Sequence, residues 1–189
     1  MAFAASDTHS FARGTMEPFS AEYAHYSARR LSPPLDPNAG VSLASMIDAI
    51  RDGGQPKEEG WPYLSVAPLP ASWAPPADCG EVFRHAFIEQ PGDIATLSAA
   101  LSAGRPVIIG ARITLQFYMP PPDYIIRSAV NDPVVANHAI VAVGQGTIGA
   151  DGVVLVRNSW GETWADFGYA WLTTDYLAPK ILRIAVPST

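Results

Sequence analysis

The chain has 189 residues, 48% of them hydrophobic and 16% charged, with a formal net charge of -6 and a single cysteine. That length can bury a sizeable core, as one domain or two small ones. No Lys/Arg-rich face argues for a nucleic-acid or anionic-membrane partner, no apolar run approaches the roughly 18 to 20 residues that cross a bilayer, and one thiol closes no internal disulfide.

Eighteen prolines and fifteen glycines predict many turns and little continuous helix. Residues 2–13 read as a helix, with Ala4, Thr8 and Phe11 on one face and Gly14 to close it. A second helix starts at Ser20 as N-cap, with Glu22 in its first turn and Arg29-Arg30 in its last; Pro33-Pro34 prevents continuation. Ser42 caps a third, whose Leu43, Met46, Ile47 and Ile50 make the i, i+3, i+4, i+7 stripe before Gly53-Gly54. Glu58 to Tyr63 is a loop with two aromatics, and residues 64–80 are proline-rich without periodicity. Residues 81–89 read as a strand, and Asp93 caps a fourth helix with Ile94, Leu97 and Leu101 inward. Residues 106–113 form a buried strand, followed by a Pro120-Pro121-Pro122 loop, and residues 169–172 and 181–186 read as two late strands.

The chemistry concentrates between Asn131 and Tyr176. Asn137-His138-Ala139-Ile140-Val141-Ala142-Val143-Gly144 and Val153-Val154-Leu155-Val156-Arg157-Asn158-Ser159-Trp160-Gly161 are apolar, β-branched runs typical of strands. The turn between them, Gly149-Ala150-Asp151-Gly152, contains Asp-Gly, so an antiparallel pair is expected. Such a pair brings His138 near Asn158, and an imidazole held by a carboxamide is the base-and-orienter half of a nucleophilic triad. The alternative is a purely structural His–Asn pair.

Asn137-His138-Ala139, then Asn158-Ser159-Trp160-Gly161 with Trp164 and Gly168-Tyr169, resembles the His and Asn blocks of the papain-like cysteine peptidases. The resemblance implies an α+β fold, a helical half (residues 1–90, central helix 2–13) against an antiparallel β-barrel half (residues 91–189), with the active-site cleft between them. It also implies His138 as general base, Asn158 as its orienter, and Trp160 as the cover of their hydrogen bond. Residues 2–30 are similar to the family's central helix and the segment after it. Gly40-Val41-Ser42, Gly54 and Trp61-Pro62-Tyr63 are similar to its next section, notably in bacterial branches, and Gly104-Arg105-Pro106-Val107 to the following strand. Trp61 and Pro62 are candidates for a substrate-pocket wall or for core packing, and Ala136 and Asn137 are further cleft candidates.

The family's nucleophile motif is Cys, a variable residue, Ala, Phe, then Ala or Ser. Met1-Ala2-Phe3-Ala4 matches from the second position, so the resemblance puts the Cys one residue before Met1 and the oxyanion Gln further upstream. Ala165 after Trp164 and Gln145 after Gly144 also depart from the common pattern. Cys79, in a Pro-rich loop, reads as an inert thiol, and Ser6 and Ser10 lie one and two turns into the first helix, where no strain exposes a hydroxyl. His9, His25 and His85 lack partners at metal-ligand spacing, and Glu58-Glu59 reads as a solvated turn.

The expectation is a cysteine peptidase represented without its nucleophile segment, inactive as these 189 residues alone. The alternatives are a pseudo-peptidase that binds a peptide or protein without cutting it, and an acyl-transferase or ligase on the same fold. The expected partner is a peptide or protein, with no nucleic acid, membrane, cofactor or metal. Met1 to Asp7 lacks a signal peptide's basic n-region and long apolar core, and the lone thiol fits a reducing compartment, so the cytoplasm is the default expectation.

Overall fold

The computed structural model describes residues 1–189 except Met16 and Ala67, the latter within the irregular stretch expected over residues 64–80. The chain divides into two compact units, one of Met1–Ile88 with Pro187–Thr189 and one of Glu89–Val186.

The first unit opens with α1 (Ala2–Ala12), an alanine-rich helix that buries Ala4, Ala5, Ser6, Thr8, His9 and Ser10. Gly14 ends it at φ 65°, in the left-handed region that glycine enters without steric cost. Helix α2 (Ala21–Arg30) is capped by Ser20, whose Oγ accepts the Tyr23 N–H at 3.0 Å. Near its other end Arg29 donates to the Gly40 and Pro34 carbonyls and so ties down the loop after the helix. Helix α3 (Leu43–Asp48) is capped by Ser42 and passes into one wider turn, Ala49–Gly53, closed by Gly54 N–H to Ala49 O at 3.0 Å. Gly54 must be glycine: φ is 76°, and a Cβ there would stand 2.6 Å from the Phe83 carbonyl oxygen.

That close approach exists because β1 (Gln55–Pro56) pairs antiparallel with β2 (Val82–Phe83). The strand expected over residues 81–89 is therefore two: β2, then β3 (Phe87–Pro91), with His85 and Ala86 between. Most of the long connection is irregular, yet it is anchored by two buried indoles. Trp61 packs edge-on against Tyr23 and Tyr26, while Trp73 packs against His25 and Tyr26 and donates its Nε1–H to Glu22 at 2.7 Å.

The second unit holds α4 (Ile94–Ser102), β4 (Val107–Thr114), α5 (Leu115–Tyr118), β5 (Ile125–Ile126), β6 (Val134–Ile148), β7 (Asp151–Arg157), β8 (Tyr169–Thr173), α6 (Thr174–Leu177) and β9 (Ile181–Pro187). The sheet runs β3-β9-β4-β6-β7-β8-β5. The β4–β6, β4–β9, β6–β7 and β7–β8 pairs are antiparallel, and β5 joins β8 in parallel. The sheet is open, with β3 and β5 as edges, and does not close into the barrel expected of this half.

Its core gathers Leu97 from α4 with Val107, Ile109, Ile140, Val154, Val156, Leu172 and Ile184 from the strands. Each such side chain contributes about 1.5–3 kcal/mol when fully buried. Leu97 and Ala100 are the buried residues of α4, and Ile94 and Leu101, partly buried, pack against the same core.

The β6–β7 hairpin reverses within the expected Gly149–Gly152 stretch, at its first half and not at Asp-Gly. Ile148 pairs with Asp151, so the loop is Gly149-Ala150, with Gly149 at φ 62°, and Asp151-Gly152 already belongs to β7. Glycine at the first loop position is what a tight two-residue hairpin of this handedness requires. Further along, Gly144 pairs with Leu155 and Ala142 with Val156, leaving Val143 as the extra residue of a bulge.

Candidate active site

β6 is a central strand, bonded to β4 on one side and β7 on the other. His138 lies five residues into it, opposite Ala111 of β4, so its backbone is fixed by the ladder. Asn158 follows the last residue of β7, with its N–H on the Gly168 carbonyl at 2.9 Å. One residue is thus held by the sheet and the other by the chain's departure from it.

The side chains meet: His138 Nε2 lies 2.7 Å from Asn158 Oδ1. The Ser159 backbone N–H donates to the same Oδ1 at 2.8 Å, which identifies that atom as the carbonyl oxygen. An amide oxygen only accepts, so Nε2 carries the proton and donates it. Neutral His138 is therefore the tautomer whose Nδ1 has a free lone pair, the atom that could accept a proton from a nucleophile. Asn158 is buried, and its Nδ2 has no hydrogen-bond partner among the described residues.

Burial draws the His138 imidazole below its ordinary value, because a charged ring is poorly solvated there; the Asn158 oxygen opposes this by favouring the cation. The pair is enclosed by aromatic rings. Trp160 lies 4.8 Å from the His138 ring centroid, and Phe117 lies 5.9 Å from it. Phe117 is fully buried, its carbonyl accepts the Trp164 Nε1–H at 2.9 Å, and its ring touches both indoles. These apolar walls shield the part-buried bond on their side, and a hydrogen bond is electrostatically stronger where water is kept away.

The other sequence candidates fall elsewhere. Ala136 is half-buried and Asn137 exposed, both on β6 beside His138. In the first unit Trp61 is 5% exposed, so its indole is committed to packing, while Pro62 is exposed. Cys79 donates its thiol to the Pro76 carbonyl at 3.2 Å, and burial and Asp78 push its pKa up, the reverse of activation. Ser6 and Ser10 are buried within hydrogen bonds, to Gln55 and to the Glu17 carbonyl. Glu58 accepts the Tyr63 N–H at 2.7 Å, a turn contact.

Sequence reasoning missed Phe117 and Tyr118. Four residues of α5 are too few to display a helical period, and the only available signal was an aromatic pair after a strand.

A mixed helix-and-sheet chain with an asparagine-oriented histidine beside a tryptophan defines the class of papain-like hydrolases. The sequence profile described as papain family cysteine protease matches residues 47–182, and the chain belongs to that family. It is 27% identical over 198 residues to an uncharacterized peptidase C1-like protein of Acanthamoeba polyphaga mimivirus, covering 96% of this chain and 61% of that protein. It is 30% identical over 131 residues to cathepsin K of Mus musculus, covering 66% of this chain and 37% of that one. Xylellain, a cysteine protease from Xylella fastidiosa, superposes with a TM-score of 0.75 at 20% identity, over all of this chain and 78% of the other. The chain spans less than two thirds of the length of the curated relatives it matches.

Proposed function

We propose that this chain carries the base-and-orienter half of a Cys-His-Asn peptidase of the bacterial-type branch, and that the nucleophilic Cys belongs immediately before Met1. The observation that carries the reading is the tautomer of His138, whose Nε2–H is bound by Asn158 and whose Nδ1 is left as the base. The placement of the nucleophile is supported by the match of Met1-Ala2-Phe3-Ala4 to the family's run after its Cys. The branch is supported by Gly54 and Trp61-Pro62-Tyr63.

In the complete arrangement Nδ1 would take the thiol proton. The thiolate would attack the peptide carbonyl, His138 would return the proton to the leaving amine, and water would release the acyl-enzyme. The helix dipole of α1 would favour the thiolate at that helix's N-terminus. The substrate is a peptide or protein. Loss of a triad nucleophile costs about a millionfold in rate, so the 189 residues alone should show no measurable hydrolysis.

The test compares this chain with one extended by a Cys directly before Met1 and an upstream Gln, using a fluorogenic peptide and a thiol-directed epoxide. The extended chain is expected to cleave the peptide and to be labelled at the added Cys; the shorter one does neither. Cleavage by the shorter chain that Cys79→Ala abolishes would overturn the placement. A coding sequence without an upstream Cys would leave the non-catalytic peptide-binding reading.

A further inference from the structure

In the first unit a polar seam runs through otherwise apolar packing. Gln55 of β1 donates its Nε2–H₂ to Ser6 Oγ at 2.7 Å and to the Ser20 carbonyl at 3.0 Å. Its Oε1 therefore faces His9, whose Nδ1 lies 2.9 Å away. Since Oε1 only accepts, Nδ1 holds the ring proton and Nε2 is a bare lone pair. His9 is 0% exposed, and that Nε2 is buried with no partner among the described residues. One face of the ring stacks on Phe19 at 4.4 Å, and the His85 ring stands 5.9 Å away with its own Nε2 buried and unpartnered.

Protonation would place an N–H⁺ on His9 Nε2 where no acceptor waits among the described residues. The charged or titratable groups facing it are His85, between β2 and β3, and Arg13, one turn along α1, whose guanidinium sits 4.5 Å over the Phe83 ring. Both are cationic when charged. The nearby carboxylate on the Phe19 element, Glu17, is already paired with Lys57 at 2.7 Å. A buried cation without an acceptor or counter-charge is strongly disfavoured.

We propose that the His9–Gln55–His85 seam is an acid-release latch: with His9 neutral it holds α1 to β1 and to the β2–β3 connection, and protonation of His9 loosens the first unit. The seam involves none of the residues in the proposed peptidase chemistry, so the two readings fail separately.

Burial pulls the His9 pKa down from 6.5 to about 4, with the Gln55 bond opposing and His85 and Arg13 adding to the fall. The folded state thus binds fewer protons than the open state between those values. Stability is complete above about pH 6.5 and declines as pH falls toward 4, the opening constant of the seam rising about 100-fold between pH 7 and pH 4.

Amide exchange of α1 in the full chain, followed from pH 7 to 4 and corrected for intrinsic rates, measures that constant. The wild type should show the rise. His9→Asn keeps a donor for Gln55 but cannot titrate, and should flatten it. Should His9→Asn fail to fold, His85→Asn decides: the His9 ring resonances should then titrate at higher pH and the α1 rise should shrink. Exchange of α1 that is indifferent to pH in the wild type, or an unchanged rise in the folded variants, overturns the latch.

Discussion

Tyr118 lies flat on Trp160, ring centroids 4.7 Å apart and planes 26° from parallel. Tyr118 is half exposed, so the indole that touches His138 is itself backed by a ring at the protein surface. Removing the backing ring in Tyr118→Ala should cost about 0.5–1.5 kcal/mol of stability beyond the lost apolar area. Urea denaturation measures the loss. The His138 ring resonances should shift as well, because Trp160 is then free to tilt.

Asn158→Ala should act on the tautomer of His138 before it acts on stability. Without Oδ1 nothing pins the ring proton to Nε2, so a mixture with the Nδ1–H form should appear in ring nitrogen chemical shifts. The imidazole should also titrate at lower pH than in the wild type, because the Asn158 bond is what opposes burial. A single unshifted tautomer in the variant would show that the ring is oriented by packing alone.

In the intact chain His138 itself should titrate below the ordinary value of 6.5. The folded state then holds fewer protons than the unfolded one, so this contribution to stability is complete above about pH 6.5 and is lost as pH falls through the folded value. A nuclear magnetic resonance titration of its ring protons reads the midpoint directly. A midpoint above 6.5 would contradict the burial argument.

Phe117→Ala should be the most damaging single change near the site. Phe117 is 0% exposed and touches His138, Trp160 and Trp164. Truncations of that kind cost about 3–5 kcal/mol, and calorimetry would show the fall in melting temperature.

Trp73→Phe keeps one six-membered aromatic ring but removes the pyrrole part and with it the donor that holds the buried Glu22 carboxylate at 2.7 Å. The remaining donor to Glu22 among the described residues is the Leu64 N–H at 3.2 Å. Hydrogen bonds to charged groups contribute about 1.5–3 kcal/mol, so a loss in that range is expected in denaturant unfolding.

Local chemistry explains which parts of this fold can be read from the chain. Ser20, Ser42 and Asp93 announce helix starts because a short oxygen satisfies an orphan N–H within three residues, and all three do so here. The meeting of His138 with Asn158 is legible because a hairpin converts separation along the chain into proximity. The split between β2 and β3 is not legible, since it depends on β1 as a distant pairing partner. Nor is the hairpin turn: Asp151-Gly152 is the stronger local signal, yet the register of Val153 and Val154 against β8 fixes the reversal two residues earlier. Trp61 shows the same limit, because a Trp-Pro-Tyr run looks identical whether its indole lines a groove or fills a core.

The extra residue in β6 gives the strand slack. Side chains alternate across a sheet, so losing one residue from a regular strand inverts every side chain beyond the gap. At the bulge this need not happen. Val143 has no partner on β7, so its deletion would leave Ala142 opposite Val156 and Gly144 opposite Leu155 and restore a regular ladder. His138 would keep its place opposite Ala111. An insertion in the same stretch meets no such reserve. Length changes in this strand should therefore be tolerated asymmetrically, with shortening by one survivable and lengthening by one not.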